Sequence, residues 1–301
     1  MNGIINLYKE KGMTSHDCVF KLRKILKMKK IGHGGTLDPE VEGVLPICVG
    51  RGTKVIEYMV DSNKTYEGEM TFGFTTTTED KTGEIVEMER LTVPIPDEEI
   101  KVAMQSFLGS QIQIPPMYSA VKVNGKRLYE YARSNQMVER PKRAIKIESF
   151  ELIEPSVFAD SLQRCSFRVT CSKGTYVRTL AVDLGKRLSV LSHMSELKRT
   201  QAAGLKINTA ESLAVISEKF EAGDMSFLYP IELGVSSLAC VEVTGEQLEA
   251  VRHGGKFPLA HLGLTAPPSA PIAVFYQEQL VAIYITHPVD SGILKPSKVL
   301  T

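Results

Sequence analysis

The first part of the chain switches from strand-like to helix-like spacing of its apolar residues. Residues 4–8 read Ile-Ile-Asn-Leu-Tyr, a short apolar run typical of a buried strand. Apolar residues then recur at helical spacing: Val19, Leu22, Ile25 and Leu26. Thr14 or Ser15 can cap this helix. Five lysines lie mainly outside its apolar stripe: Lys21, Lys24, Lys27, Lys29 and Lys30. The pattern predicts a buried strand followed by an amphipathic helix with a basic outer face.

The same reasoning extends along the rest of the chain. It predicts strands at 47–49, 64–73, 145–153 and 163–171, and helices at 53–60, 98–108 and 176–188. Residues 113–146 are expected to form a long loop-like insertion. From about residue 235 the pattern changes to short β-rich runs around one helix, at 246–252. Because short strands and helices mix, we expect an α+β fold with a mixed sheet, in two domains at 1–235 and 236–301.

A glycine-rich segment at residues 31–46 is too turn-rich for a helix. It reads Ile-Gly-His-Gly-Gly-Thr-Leu-Asp-Pro-Glu-Val-Glu-Gly-Val-Leu-Pro. Gly32, Gly34 and Gly35 are expected to let the backbone approach another molecule closely. Asp38 precedes a proline and is biased toward an extended or turn conformation. A carboxylate on a constrained loop suits nucleophilic or acid–base chemistry, although Asp-Pro is also a common structural turn opener.

Composition narrows the class of protein. The 301 residues are 43% hydrophobic and 24% charged, as in an ordinary globular protein. The apolar stretches are too short for a membrane span, and the N-terminus lacks the apolar core of a secretion signal. Five cysteines form no Cys-x-x-Cys pair, which favours reduced thiols in a cytoplasmic protein and argues against structural zinc. Phosphate-loop, dinucleotide-binding and Gly-x-Ser-x-Gly motifs do not occur.

Charge is distributed unevenly although the net charge is only +1. Residues 116–150 carry eight Lys/Arg against three Asp/Glu, and residues 160–207 carry nine against three. Residues 1–60 carry ten against six, whereas acids dominate at 79–101 and 211–249. Each basic run alone could be a solvated helix face. Three such blocks beside Gly- or Pro-marked loops favour a positive face that binds nucleic acid.

Several short segments, in order along the first 200 residues, resemble a known family. They are Lys9 with Gly12-Met13-Thr14-Ser15, residues 32–39, residues 43–46, Lys64-Thr65-Tyr66, residues 115–122 and residues 171–180. Together they closely resemble the motifs of bacterial tRNA pseudouridine-55 synthases, the TruB group. One departure is Glu10, where the family usually has a proline.

The resemblance implies a fold, a reaction and a partner. It implies a pseudouridine synthase fold with a thumb-like insertion at about 122–146 and a PUA-like RNA-binding domain at 236–301. The implied reaction converts the uridine at position 55, in the T loop of tRNA, to pseudouridine. The uracil is detached from its ribose, turned and rejoined through C5, with no metal, nucleotide or redox cofactor. The expected partner is the T stem-loop of tRNA, bound by a monomer with no membrane association.

The resemblance also implies roles for individual residues. Asp38 matches the catalytic aspartate, and Arg178 matches an arginine expected to pair with it. Tyr66 matches a tyrosine that stacks on the target base and takes part in removing the C5 proton. Asp80 and Leu197 match residues that line the site. Taken alone, these types are commonly structural: a tyrosine in an alternating strand or a leucine is usually core, and an arginine at a helix end usually forms a surface pair.

A second set of residues is expected to bind the RNA. A stacked uridine must be flipped out of the RNA before it can react. His33 matches the family's histidine that fills the space vacated by the flipped bases. The insertion would contact phosphates through Lys122, Lys126 and Arg127.

Two rival functions stay open at this stage. One is a non-catalytic protein that binds or folds tRNA through the same basic face. The other is a hydrolase of a small substrate that uses an aspartate nucleophile.

Overall fold

The computed structural model describes residues 1–301, in seven α-helices, twenty strands and four short 3-10 helices. The helices are α1 (Ser15–Ile25), α2 (Ile56–Val60), α3 (Asp97–Gln105), α4 (Leu128–Arg133), α5 (Val177–Arg187), α6 (Leu213–Glu221) and α7 (Gly245–Arg252). The first ten strands are β1 (Gly3–Lys9), β2 (Ile31–His33), β3 (Glu42–Val49), β4 (Lys64–Phe72), β5 (Phe74–Thr76), β6 (Ile85–Met88), β7 (Gly109–Gln113), β8 (Lys122–Val123), β9 (Lys126–Arg127) and β10 (Arg143–Leu152). The others are β11 (Val157–Ala159), β12 (Leu162–Cys171), β13 (Ser192–Ala202), β14 (Leu205–Lys206), β15 (Leu228–Tyr229), β16 (Ala239–Glu242), β17 (Phe257–Pro258), β18 (Ile272–Tyr276), β19 (Gln279–Thr286) and β20 (Ile293–Val299). The 3-10 helices are Gly50–Val55, Ile207–Thr209, Ile231–Val235 and Leu259–Leu262.

One mixed sheet forms the body of the molecule. Its main order is β15-β1-β3-β13-β4-β12-β10-β7, while β2, β11 and β14 pair at its sides. Neighbours run antiparallel except β13 and β3, which are parallel. Strand residues such as Phe72 and Phe167 share one buried cluster with residues of α1, α3, α5 and α6. The predicted α+β class with a mixed sheet is confirmed.

The predicted N-terminal strand and helix are present as β1 and α1. Thr14 is the N-cap of α1, because its hydroxyl accepts a hydrogen bond from Asp17 N and the Asp17 carboxylate accepts one from Thr14 N. Val19 and Leu22 are buried, and the five lysines predicted for the outer face are all exposed. The capping box and the apolar stripe therefore account for this helix.

The structure corrects the prediction in three places. Strand β3 includes Pro46 instead of starting after it. A proline has no backbone N–H to donate, but β2 pairs only with residues 47–49 of β3, so no hydrogen bond to β2 is lost at Pro46. A hairpin that was not predicted, β5 and β6, follows β4. The insertion at 113–146 is not simply loop-like, since it holds the β8–β9 hairpin and α4.

A second sheet lies within residues 239–299, inside the range expected for the C-terminal domain. Its order is β16-β18-β19-β20-β17, with α7 packed against it. A separate cluster of buried residues joins the two sheets, with Val44 and Val55 from the body and Ile283 and Leu300 from the C-terminal part. No helix of the protein has the length and apolarity needed to cross a membrane.

Candidate active site

A cleft of about 280 Å³ opens at the ends of β2, β4, β12 and β13. Four of the predicted site residues line it, Asp38, Tyr66, Arg178 and Leu197, together with Arg199, which was not predicted as functional. Val41 and Val60 add apolar surface. The cleft therefore combines an apolar floor with one carboxylate and a pair of guanidinium groups.

Asp38 and Arg178 form the ion pair that the resemblance implies. Asp38 Oδ2 lies 3.0 Å from Arg178 Nη2, and the Asp38 side chain is 49% exposed whereas the Arg178 side chain is only 7% exposed. A buried cation thus holds an accessible carboxylate. This contact is confirmed, while the catalytic roles of both residues stay predictions.

Besides Asp38, three groups from two other segments fix the Arg178 guanidinium. Arg178 Nη1 donates to Thr78 O at 3.0 Å, and Nη2 donates to Tyr118 O at 2.9 Å. Asp80 Oδ2 lies 3.7 Å from Nη1. A planar group with five donors can satisfy several such partners at once. Arg178 is therefore not a surface pair at a helix end, because its buried guanidinium connects these segments to the loop that carries Asp38.

The start of α5 determines where Arg178 lies. Buried Gln113, on β7, accepts a hydrogen bond from Tyr176 N at 2.8 Å and donates to Tyr176 O at 3.0 Å. On the other side of α5, Gly185 lies so close to β13 that an added Cβ would come within 2.1 Å of Ser192 Oγ. Both contacts orient the first turn of α5 toward the cleft.

The loop that carries Asp38 is held from three directions. Ser15 Oγ accepts from Leu37 N at 2.8 Å, and buried Lys9 donates from Nζ to Pro39 O at 3.0 Å. Arg199 donates to Thr36 O at 3.3 Å and to Gly35 O at 3.2 Å. These hydrogen bonds hold the loop in one conformation, as a carboxylate that must be positioned for chemistry requires.

The glycines of this loop approach the protein's own chain, contrary to the expectation that they face another molecule. A Cβ on Gly32 would lie 2.7 Å from Ile56 Cδ1, and one on Gly34 would lie 3.3 Å from Met59 Cβ. Gly35, with a φ of +133°, lies against the Arg199 guanidinium and is the only one of the three that lines the cleft.

Arg199 was not identified from the sequence as a functional residue. It lies on β13, is 1% exposed, and also donates from Nε to Val44 O at 2.8 Å. The alternation of Leu197, Lys198 and Arg199 indicates a strand in which Leu197 and Arg199 point to the same buried face. A charged residue at such a position is rarely buried without a specific task.

Tyr66 and Lys64 lie on β4 beside Arg199. Burial raises the pKa of the Tyr66 phenol, and the Arg199 charge opposes that shift only in part. Burial also lowers the pKa of Lys64, to about 8, with the Arg199 charge adding to the effect. Lys64 Nζ donates to Val60 O and Ser62 O, both at 2.5 Å. Buried cationic side chains therefore line this part of the cleft.

The remaining predicted residues lie around the cleft without lining it. Asp80 is held by Thr82 N, which donates to its Oδ1 at 2.9 Å, and shares a smaller crevice with Asp38. His33 ends β2, and its Nδ1 is buried with no hydrogen-bond partner. The three basic residues of the insertion, Lys122, Lys126 and Arg127, are exposed on the β8–β9 hairpin. No group of three or more His, Cys, Asp or Glu side chains is arranged to hold a metal ion.

Comparison with known proteins decides the family. The protein-family model described as "TruB family pseudouridylate synthase (N terminal domain)" matches residues 23–177. The tRNA pseudouridine synthase B of Streptococcus sanguinis is 54% identical over 283 residues, which cover 94% of this chain and 95% of that protein. This chain belongs to the TruB family. The tRNA pseudouridine synthase B of Streptococcus thermophilus is 52% identical and is covered over 99% of its length.

Solved structures agree with this membership in the TruB family. A crystal structure of a Cbf5-Nop10-Gar1 complex matches with a TM-score of 0.77 and 28% identity, covering 99% of this chain and 85% of that chain. A structure of an H/ACA RNP bound to a substrate RNA containing 2′-deoxyuridine matches with a TM-score of 0.74 and 26% identity, with the same coverage. As a TruB family member, the protein is a pseudouridine synthase.

Proposed function

We propose that this TruB family enzyme acts on tRNA and isomerises the uridine at position 55, in the T loop, using Asp38 as the nucleophile and no cofactor. The observation that carries the proposal is the accessible Asp38 carboxylate, 3.0 Å from a buried arginine at the mouth of an apolar cleft. The substrate follows from the tRNA enzymes to which the chain is similar along nearly its whole length.

The reaction needs only groups that this cleft supplies. The bond between C1′ and N1 breaks, a bond between C1′ and C5 forms, the C5 proton leaves, and N1 gains a proton, so the product is an isomer of the substrate. Asp38 could add to C6 of the ring, attack C1′ of the ribose, or remove the 2′ proton. Each route requires an ionised carboxylate within reach of both ring and ribose, and the ion pair with Arg178 fixes the direction of the Asp38 carboxylate.

Tyr66 and Leu197 would hold the flipped base. Leu197 supplies apolar contact, and the Tyr66 ring supplies a surface on which a pyrimidine can stack. Because burial raises the pKa of the phenol, Tyr66 stays protonated near neutral pH. Its environment therefore favours stacking and hydrogen bonding over a role as the base that removes the C5 proton.

Position mapping tests this function. Unmodified tRNA transcript is incubated with the protein, without metal or nucleotide, and pseudouridine is located by chemical probing. We expect one product, at position 55, and no product from a transcript with cytidine at that position. Product elsewhere only would contradict position 55 as the target. Binding without any product would favour the rival of a tRNA-binding protein that is not an enzyme.

A further inference from the structure

A cluster of positive charge lies away from the cleft, where the main sheet meets the C-terminal sheet. Four side chains form this group, which we name the seam patch: Lys30, Arg51, Lys54 and Lys298. They come from the connection between α1 and β2, the 3-10 helix Gly50–Val55, and β20. Gly50 N donates to Lys30 O at 2.9 Å, so the first two segments are fixed side by side.

Almost no negative charge balances the seam patch. Glu57 pairs with Lys298 at 3.1 Å, and the other three cations form no ion pair. Burial lowers the pKa of Lys54, and the charges of Lys30, Arg51 and Lys298 lower it further, so each of these three cations is close enough to repel Lys54. Such repulsion is relieved when a polyanion binds.

The seam patch is rigid and retains free donors. Arg51 Nη1 donates to Leu300 O at 2.7 Å, and Lys54 Nζ donates to the carbonyl of Val299. These bonds hold the end of β20 against the 3-10 helix. Because a guanidinium has five N–H donors and an ammonium has three, both groups can bind a further oxygen.

A short strand connects the seam patch to the catalytic loop. β2 runs from Ile31 to His33, and a strand rises about 3.3 Å per residue, so Lys30 lies roughly 10 Å from His33 along the chain. Exposed Lys27 and Lys29 extend the positive charge on the same connection. We propose that the seam patch binds backbone phosphates of the helical stem that carries the target loop. This inference rests on the proposed function, because it assumes an RNA loop in the cleft.

Two hairpins with the same T loop, one with a short stem and one with a long stem, test the inference. Lys29→Gln with Lys30→Gln removes two charges without breaking a hydrogen bond, since neither ammonium has a partner in the fold. On the long hairpin we expect a higher KM, an unchanged kcat, and a salt dependence of binding reduced by about one unit per lost phosphate contact. The short hairpin should be bound and modified as by the wild type.

One substitution with the opposite expected effect, and two matched controls, sharpen the test. Glu57→Gln removes the one acid of the region and should tighten binding of the long hairpin. Lys186→Gln, at a 69% exposed lysine on α5, and Glu98→Gln, on α3, should change neither hairpin.

Several results would overturn the inference. Equal losses on both hairpins, no loss on either, or a lowered melting temperature with unchanged KM would each contradict a stem-binding site. If the wild type modifies neither RNA, the proposed function fails instead, and direct binding of the long hairpin still reports on the seam patch.

Discussion

At the scale of single residues, the site depends on cations that are buried and an acid that is not. Arg178 and Arg199 are both fully enclosed, yet each uses its guanidinium to hold backbone carbonyls of separate segments. Removing one partner of such a buried network leaves a charge without compensation and is costly. Asp38, in contrast, keeps half of its side chain exposed, as a group that must reach a substrate does.

Lys64 gives the stability of the protein a predictable pH dependence. Its pKa is about 8 in the folded state and near 10.5 when exposed, so the unfolded chain binds more protons between these values. Lys64 therefore makes the free energy of unfolding rise with pH from about 8 to 10.5, by on the order of 3 kcal/mol. Below pH 8 the cost of its buried charge is fully present.

Urea unfolding of wild type and Lys64→Met, at a series of pH values from 7 upward, measures this effect. The difference in unfolding free energy between the two proteins should shift in favour of the wild type as pH rises through the window. The comparison cancels the titration of other groups, such as the buried thiols. A difference that stays constant across the window would show that Lys64 titrates normally.

At the scale of elements, β13 organises the site. It pairs with β3 and β4, packs against α5, and carries both Leu197 and Arg199. Register shifts after Met194 and Arg199 interrupt its alternation. Gly43 allows β3 to lie directly against it, since a Cβ there would come within 2.2 Å of Arg199 O. Through Leu197 and Arg199, β13 thus forms part of the cleft and also holds the loop that carries Asp38.

Gly43→Ala should be among the most damaging small substitutions. Gly43 has a φ of +112° and no space for a methyl group, so both strain and backbone overlap oppose it. We expect a loss of more than about 2 kcal/mol in thermal or urea unfolding. The matched control is Gly223→Ala, at a φ of +77° with open space around it, which should cost only about 1 kcal/mol. Equal losses would refute the close approach of β3 and β13.

How far the sequence predicts these elements depends on how local their causes are. β1, α1 and α5 follow from apolar periodicity and caps, and the predicted Asp38–Arg178 contact was available from motif resemblance. β13 was missed because its bulges and its many polar residues obscure a period of two. Pro46 lies inside a strand only because β2 stops short of it, and Arg199 lines the cleft only because β3 and the loop that carries Asp38 fold against it. Such facts depend on tertiary neighbours.

At the scale of the whole molecule, the basic segments surround the cleft from different parts of the chain. The insertion is tied to the cleft wall, because Tyr129 N donates to Ser119 O at 3.1 Å while Tyr118 O accepts from Arg178. The seam patch lies at the end of β2 away from the loop that carries Asp38. The cleft is therefore connected to two basic parts of the chain, the insertion and the seam patch.

His33 should matter only when the RNA is folded. Burial lowers the pKa of its imidazole, so it is neutral near pH 7 and can fill the space left by a flipped base. Extruding a stacked base costs a few kcal/mol, and an already unstacked base costs less. We expect His33→Ala to lower kcat/KM strongly on folded tRNA and weakly on a single-stranded RNA with the same target. Equal losses on both substrates would argue against a role in flipping.

The central claim is that the Asp38 carboxylate performs the chemistry, and tritium release from tRNA labelled at C5 of uridine tests it most directly. Asp38→Asn should release no tritium above background in a single-turnover assay, while binding tRNA within a few fold of the wild type. Glu40→Gln removes a charge from the same loop and serves as the control, with release close to that of the wild type. Substantial release by Asp38→Asn would contradict the account.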